Sequence, residues 1–191
     1  LGASTDFVKG WQFNAIVIDT NGLIISIYDH ERDSFQQISW SAENSKLVIR
    51  NDGNTNIMAV SDSQNDEIDV HFVTNLGTIL RSGKYNVASS KESKRLFGIL
   101  KVSDGYLISG QVQYSSETVK SFILKIDREG NKIYLKYYGE KDFWFLGSTL
   151  YQSPLNENEV VLYGSYISHG YGHKSFFHID HKTGNTLRID I

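Results

Sequence analysis

The sequence predicts an all-β fold, and three observations support this prediction. The chain of 191 residues contains 16 Gly, 11 Tyr and 10 Phe but a single Pro and a single Met. This composition is typical of aromatic and β-branched strands joined by glycine-containing turns. No window of about a dozen residues keeps the i, i+3, i+4, i+7 apolar spacing of an amphipathic helix. One hairpin pattern also recurs along the chain.

The clearest copy of this hairpin spans residues 119–140. An apolar run at 122–126 leads into a turn at 127–130, and the return strand alternates its apolar residues. Gly130 supplies the positive φ that a tight reversal requires, and Asp127 is expected to hydrogen-bond the backbone of the turn. We therefore predict that Asp127 caps an antiparallel hairpin and is not catalytic.

The hairpin occurs four times with a period of about 54 residues. The residues aligned at the end of its first strand are Asp19, Thr74, Asp127 and Asp180, and the turn glycines are Gly22, Gly77, Gly130 and Gly184. A second pair of strands lies between successive hairpins, at 97–110, at 143–164 and, in a degenerate copy, at 35–40 and 46–49. Each period thus holds four short strands, which we call A to D in chain order.

Four antiparallel strands repeated at such a period are typical of a β-propeller, in which each repeat forms one blade. Strands that are apolar on both faces indicate that each sheet stacks on the next. The chain is expected to contain a half blade at 11–30 and full blades at about 31–85, 95–140 and 142–191. The alternative fold is a β-sandwich or an irregular barrel.

Three and a half blades are too few to close a ring, since a propeller usually needs at least four. Open blade faces and sheet edges favour aggregation unless they are covered. The chain, which begins with Leu1 and not with Met, is therefore expected to be part of a larger propeller. Another protein chain, further blades of a longer precursor, or a second copy would complete it.

Residues 103–140 resemble a blade repeat of bacterial β-propeller proteins. The residues that carry the resemblance are Asp104-Gly105-Tyr106 with Gly110, Lys125-Ile126-Asp127, Gly130-Asn131, and Lys136 with Tyr138-Gly139. Tyr134 stands where that repeat usually has Trp. The similarity covers 97–147, is weaker over 148–191 and is poor before residue 90. It implies a propeller fold that is common in secreted or cell-surface proteins, and it implies no substrate and no catalytic residue.

Composition and charge narrow the classes of partner. The net charge is -3 and the charged residues are scattered, so no nucleic-acid partner is expected. No apolar run approaches the ~20 residues of a transmembrane helix, so no transmembrane segment is expected. Because the chain contains no Cys, disulfides, thiolate metal sites and cysteine nucleophiles are excluded.

Four of the six histidines lie close together near the C-terminal end of the sequence, namely His169, His173, His178 and His181. Imidazole is a common zinc ligand, so this group could indicate a metal or proton-transfer site. No carboxylate has the H-E-x-x-H spacing. We place His169 and His173 in a glycine-rich loop between strands B and C, His178 on strand C and His181 in the next turn. We interpret the group as a polar loop with exposed histidines and predict no metal and no cofactor. The acidic turns at 51–54, 61–66 and 127–130 lack the register of a calcium loop and are interpreted as ordinary turns.

The remaining candidates for ligand binding are exposed aromatic and histidine side chains beside one glycine-rich loop. The selected residues are Tyr166, His169, Tyr171 and His173. Aromatic rings with polar edges suit a sugar or a peptide. The sequence contains no nucleophile elbow, P-loop or dinucleotide fingerprint, and no catalytic residue is predicted. The expected function is a non-catalytic interaction or structural module. A carbohydrate-binding or carbohydrate-active propeller is the second hypothesis, and a metal-dependent enzyme is the third.

Overall fold

The structure, a computed structural model, describes residues 2–6, 10–18, 24–29, 47–61, 66–74, 78–88, 93–115, 118–139, 144–168 and 171–190. This part of the chain forms fifteen β-strands and no helix. The prediction of an all-β fold is confirmed.

The strands form one three-stranded sheet and three four-stranded sheets, and every sheet is an antiparallel meander in chain order. Sheet 1 consists of β1 (Gly2–Asp6), β2 (Gly10–Ile18) and β3 (Ile24–Asp29). Sheet 2 consists of β4 (Leu47–Asp52), β5 (Thr55–Ser61), β6 (Glu67–Thr74) and β7 (Ile79–Asn86). Sheet 3 consists of β8 (Ser93–Val102), β9 (Gly105–Ser115), β10 (Thr118–Ile126) and β11 (Lys132–Tyr138). Sheet 4 consists of β12 (Trp144–Gln152), β13 (Glu159–Ser168), β14 (Tyr171–Asp180) and β15 (Thr186–Asp190).

Sheets 1 and 2 differ in detail from the expected strand pattern. Sheet 1 has three strands, corresponding to B, C and D, because β1 pairs with β2 from Gly2 opposite Asn14 onward; the sequence suggested only the last two. In sheet 2, residues 47–49 belong to strand A and not to strand B. Strand B is the segment after the turn at Gly53, whose φ of 65° allows a two-residue reversal. The segment 35–40, expected as strand A, lies outside the described residues.

The C–D hairpin has the same irregularity in all four described sheets. The register shifts between residues 17 and 18, 72 and 73, 125 and 126, and 178 and 179. These positions coincide with the aligned column just before Asp19, Thr74, Asp127 and Asp180. A bulge places an extra residue on one strand and increases the local twist, so the sequence repeat is also a repeat of backbone geometry.

The C–D turns are closed by the residues that the sequence predicted. Asp127 Oδ1 accepts a hydrogen bond from the Asn131 N–H at 2.7 Å, and Gly130 has a φ of 90°. Asp180 Oδ1 accepts bonds from the N–H groups of Lys182 at 2.8 Å and Thr183 at 3.0 Å. Both carboxylates are turn caps, as predicted for these two positions, whereas Asp19 lies outside the described residues.

Sheet 3 is covered on both faces. One face packs against sheet 2 through a cluster that includes Phe72, Ile108 and Leu124. The opposite face packs against sheet 4 through a cluster that includes Leu107 and Ile123. Adjacent residues of one strand thus enter different clusters, as the period of two requires. The outermost strand of sheet 4, β15, is exposed along its length, so burial decreases toward strand D in a blade-like arrangement.

Candidate functional site

Polar side chains gather at one end of the sheets. In a meander the A–B and C–D turns lie at the same end, and the B–C connections lie at the other. We call the first the turn end. It comprises the A–B turns at 53–54, 103–104 and 153–158 and the C–D turns at 127–131 and 181–185.

Strand D of one sheet donates hydrogen bonds to the C–D turn of the next sheet. The Tyr138 hydroxyl donates to the Gly184 carbonyl at 2.9 Å. One repeat earlier, the Tyr85 hydroxyl donates to the Gly130 carbonyl. Burial raises the pKa of both phenols, so both remain protonated donors. The contact is therefore a repeated structural link between sheets.

A second donor on strand D repeats with the same spacing. The Arg81 guanidinium donates to the Arg128 carbonyl, and the Tyr134 hydroxyl donates to the His181 carbonyl at 3.1 Å. Arg81 and Tyr134 are 53 residues apart, and so are Arg128 and His181. A guanidinium in one sheet and a phenol in the next thus donate to carbonyls at the same position of the C–D turn.

Sheets 2 and 3 are also joined by an acid in the first A–B hairpin. Asp52 Oδ1 lies 2.5 Å from Lys101 Nζ, and its Oδ2 accepts a hydrogen bond from the Tyr106 hydroxyl at 2.6 Å. The bond from Lys101, with that from Tyr106, lowers the pKa of Asp52. Burial and the bond to Asp52 raise the pKa of Tyr106 to about 12. The carboxylate is therefore ionised, and each of its oxygens contacts a side chain of sheet 3.

Sheets 3 and 4 meet around a cluster of three polar side chains, which are Lys125, Asp104 and His181. Lys125 is 1% exposed, and its Nζ lies 2.7 Å from Asp104 Oδ2. The His181 side chain is 0% exposed, and its Nδ1 lies 3.5 Å from Asp104 Oδ1. Within the described part of the chain neither ring nitrogen of His181 has a hydrogen-bond partner.

The electrostatics of this group follow from its burial. Burial raises the pKa of Asp104, but the hydrogen bond and charge of Lys125 outweigh it, and the net shift is downward. Burial and the Lys125 charge lower the pKa of His181. The group is therefore a lysine–carboxylate ion pair beside a neutral imidazole, wedged between two sheets.

His178 lies on the side of sheet 4 that faces away from sheet 3. Its Nδ1 is 2.5 Å from Glu159 Oε1, and its Nε2 is 3.0 Å from Asp190 Oδ2. Arg188 approaches the same ring nitrogen at 3.4 Å. These contacts join strands β13, β14 and β15, so His178 has a structural role within its sheet.

His178 lies on strand C and His181 in the following turn, as expected, but both are buried and the interpretation of these two histidines as exposed is wrong. His173 is exposed, and His169 lies outside the described residues. His173 and His178 are five residues apart on β14, or about 17 Å at ~3.3 Å per residue, so the group is not one site. Among the described residues no set of three or more His, Cys, Asp or Glu is placed to hold a metal ion.

Three of the four selected ligand-binding residues belong to the β13–β14 hairpin. The backbone of Tyr166 pairs with that of His173, and Ser168 pairs with Tyr171. The hairpin thus places Tyr166, Tyr171 and His173 near one another on two paired strands. The side chains of Tyr166 and Tyr171 lie outside the described residues.

The sequence analysis missed the Lys125–Asp104 and Tyr106–Asp52 contacts. One signal could have revealed the Lys125–Asp104 contact, and a second could have revealed the hydrogen bonds that strand D donates to the next sheet. Lys125 interrupts the apolar run at 122–126, and a buried lysine requires a carboxylate partner. Tyr85 and Tyr138 are 53 residues apart, as are Arg81 and Tyr134, so polar residues repeat on strand D as well as in the turns.

The sequence matches none of the models of known protein families, and a search of curated proteins also finds no match. In the described part of the chain, no helix has the length and hydrophobicity needed to cross a membrane.

Proposed function

We propose that this chain is a non-catalytic interaction or structural module that forms part of a larger β-propeller. One observation carries the proposal: the polar residues of the turn end recur from sheet to sheet and bind the neighbouring sheet. Tyr85 and Tyr138 donate to equivalent carbonyls. A catalytic group need occur only once, whereas a structural link between blades must be repeated.

The charged residues favour the same conclusion. Asp52 accepts hydrogen bonds from Lys101 and Tyr106 of sheet 3, and the Lys125 side chain is buried between sheets 3 and 4. A general acid or base must reach a substrate atom. Lys125 is too deeply buried to do so, and the contacts of Asp52 with sheet 3 favour a structural role for that carboxylate.

The proposal that the module is secreted or displayed on a cell surface rests on the resemblance of residues 103–140 to the bacterial blade repeat. The partner is another protein chain, further blades or a second copy.

Sedimentation velocity of the purified chain over a wide concentration range tests this function. We expect association that increases with concentration, or a folded state that requires an added partner. A well-folded, monodisperse monomer at every concentration would overturn the proposal.

A carbohydrate-binding propeller is the second candidate, and the pairing of Tyr166 with His173 favours it because aromatic and polar residues then meet in one hairpin. A glycan array would test it, with Tyr166→Ala and Tyr171→Ala as the variants. Tyr151→Ala, which removes an exposed tyrosine on β12, is the matched control. Saturable binding that both hairpin variants abolish and the control retains would support this function, whereas no binding by the wild type would exclude the arrayed glycans as ligands.

A further inference from the structure

Strand β15 forms the outer edge of sheet 4 and is exposed along its whole length. Among the described residues it pairs with β14 alone. Its other edge therefore presents backbone N–H and C=O groups that no strand from this part of the chain covers. All five residues of β15 are exposed, and the exposed fractions of Leu187 and Ile189 are 54% and 49%. An exposed edge of this kind is a template for pairing with another strand.

The equivalent edge strands of sheets 2 and 3 are protected by charge. Strand β7 carries Arg81 and Lys84, and β11 carries Lys132 and Lys136, whereas neither strand contains an acidic residue. Two copies of such a strand would place cations beside cations, and like charges at facing positions destabilise a strand pair. These two strands therefore disfavour pairing with a second copy of the chain.

Strand β15 lacks this protection, because its two charges have opposite signs. The side chains of Arg188 and Asp190 are 58% and 55% exposed. In an antiparallel pair of β15 strands with a two-fold axis at Ile189, Arg188 of each copy lies opposite Asp190 of the other. The two Ile189 side chains also meet at the axis. Opposite charges and apolar side chains at facing positions both stabilise a strand pair, so the strand is complementary to itself.

The contacts of these charges within the chain leave groups for such pairing. Arg188 Nε lies 3.4 Å from Asp190 Oδ2, and His178 Nε2 lies 3.0 Å from the same oxygen. A carboxylate accepts hydrogen bonds through both of its oxygens, and a guanidinium has five N–H donors. Each of the two charged groups can therefore also bind its counterpart in a second copy.

From these observations we propose that this chain binds a second copy of itself through antiparallel pairing of the two β15 strands. The contact joins sheet 4 of each copy into one continuous sheet. It is isologous, because the same surface of both copies meets across a two-fold axis, and it therefore produces a closed dimer. The inference rests on the proposed function, since it names a second copy as the partner of an interaction module.

The proposed contact is small, because each copy supplies a strand of five residues. Interfaces that bury less than about 1,000 Å² are typical of weak or transient association. We therefore expect a dimer whose fraction increases with protein concentration.

Charge exchange between two variants of the full chain tests the inference. Arg188→Glu places a carboxylate opposite Asp190 of the second copy, and Asp190→Arg places a second guanidinium opposite Arg188. Each variant alone should dimerise at least about tenfold more weakly than the wild type. An equimolar mixture of the two variants again places opposite charges at both positions, so we expect it to dimerise nearly as well as the wild type. Sedimentation velocity from about 1 μM to about 1 mM measures the dimer fraction.

Two further variants complete the experiment. Arg95→Glu is the matched control, because it reverses an exposed cation on strand A of sheet 3 and should dimerise like the wild type. Leu187→Lys gives β15 two cations, as β7 and β11 have, and should weaken dimerisation. Thermal unfolding checks the fold of each variant, and Leu187→Lys keeps the test valid if a charge-reversal variant is unstable.

The results that would overturn the inference are distinguishable from a failure of the proposed function. If the wild type associates and the folded β15 variants associate equally tightly, the contact lies elsewhere and only this inference fails. The same holds if the mixture of Arg188→Glu and Asp190→Arg stays as weak as each variant alone. If the wild type is a stable monomer over the whole concentration range, the inference and the proposed function both fail.

Discussion

The hydroxyl of Tyr106 donates a hydrogen bond to Asp52 across the contact between sheets 2 and 3, at 2.6 Å. The two residues are 54 positions apart, which is one repeat of the sequence. The Tyr106 ring also meets Phe72 edge to face, with centroids 5.9 Å apart. A polar link and an aromatic contact therefore join two successive sheets through one side chain.

Tyr106→Phe removes the hydroxyl and keeps the ring contact with Phe72. We expect a loss of about 1 kcal/mol in the free energy of unfolding, typical of one hydrogen bond. The loss is limited because Lys101 still holds Asp52. Urea denaturation measures it, and Tyr151→Phe, at an exposed tyrosine, is the control. Equal stability of Tyr106→Phe and the wild type would show that this bond contributes nothing.

Lys125 and Asp104 should respond asymmetrically to substitution. Asp104→Ala leaves a buried ammonium without its carboxylate, and we expect a loss of roughly 2 to 3 kcal/mol. This is below the 3 to 5 kcal/mol of a fully buried pair, because Asp104 is 45% exposed and water can reach the site.

The double variant Lys125→Met with Asp104→Asn should recover most of that stability, since a well-packed apolar side chain often replaces a buried ion pair without loss. Denaturant unfolding of the single and double variants measures the difference. A double variant as unstable as Asp104→Ala would contradict this explanation.

The sequence predicted local hydrogen bonding better than contacts between sheets. The bond from the Asn131 N–H to Asp127 spans four residues, so the turn pattern alone contains both partners. The contact of Lys125 with Asp104 joins strand β10 to the A–B turn of the same sheet, and the contact of Asp104 with His181 depends on how sheet 4 stacks. Spacing along the chain does not specify which side chains face each other across stacked sheets.

Strand β1 was missed for a different physical reason. Gly2–Asp6 has no alternation of apolar residues, and its strand conformation comes from pairing with β2. The candidate ligand-binding residues were selected from exposure in a loop, and the structure adds the register that joins Tyr166 to His173. Register is set by the bulges and turns of the whole hairpin.

Ser175 offers a test of burial without hydrogen bonding. Its side chain is fully buried, and within the described residues its Oγ has no partner. Ser175→Ala removes a desolvated hydroxyl, so we expect stability to stay equal or rise by up to about 1 kcal/mol. Ser82→Ala is the contrasting control, because Ser82 Oγ lies 2.7 Å from His71 Nδ1 and its loss should destabilise. Destabilisation by Ser175→Ala would show that the hydroxyl has a partner, such as water.

The contact between sheets 3 and 4 should weaken in acid because of His181. Burial lowers its pKa below the ordinary value of 6.5. The unfolded chain therefore binds a proton at a higher pH than the folded chain does. The free energy of unfolding keeps its full value above about pH 6.5. It falls as the pH decreases from there toward the pKa of His181 in the folded chain. The charged groups that face the imidazole are Lys125 and Asp104 of sheet 3 and Asp180 and Lys182 of its own turn.

Unfolding free energies at about pH 7.5 and about pH 5 measure this effect. We expect the wild type to lose on the order of 1 kcal/mol more than His181→Leu over this interval. The control is Tyr138→Phe, which removes the bond to Gly184 in the same contact and should lower stability similarly at both pH values. If His181→Leu retains the full wild-type dependence on pH, another group is responsible, and the neutral imidazole between the two sheets is not the acid-sensitive element.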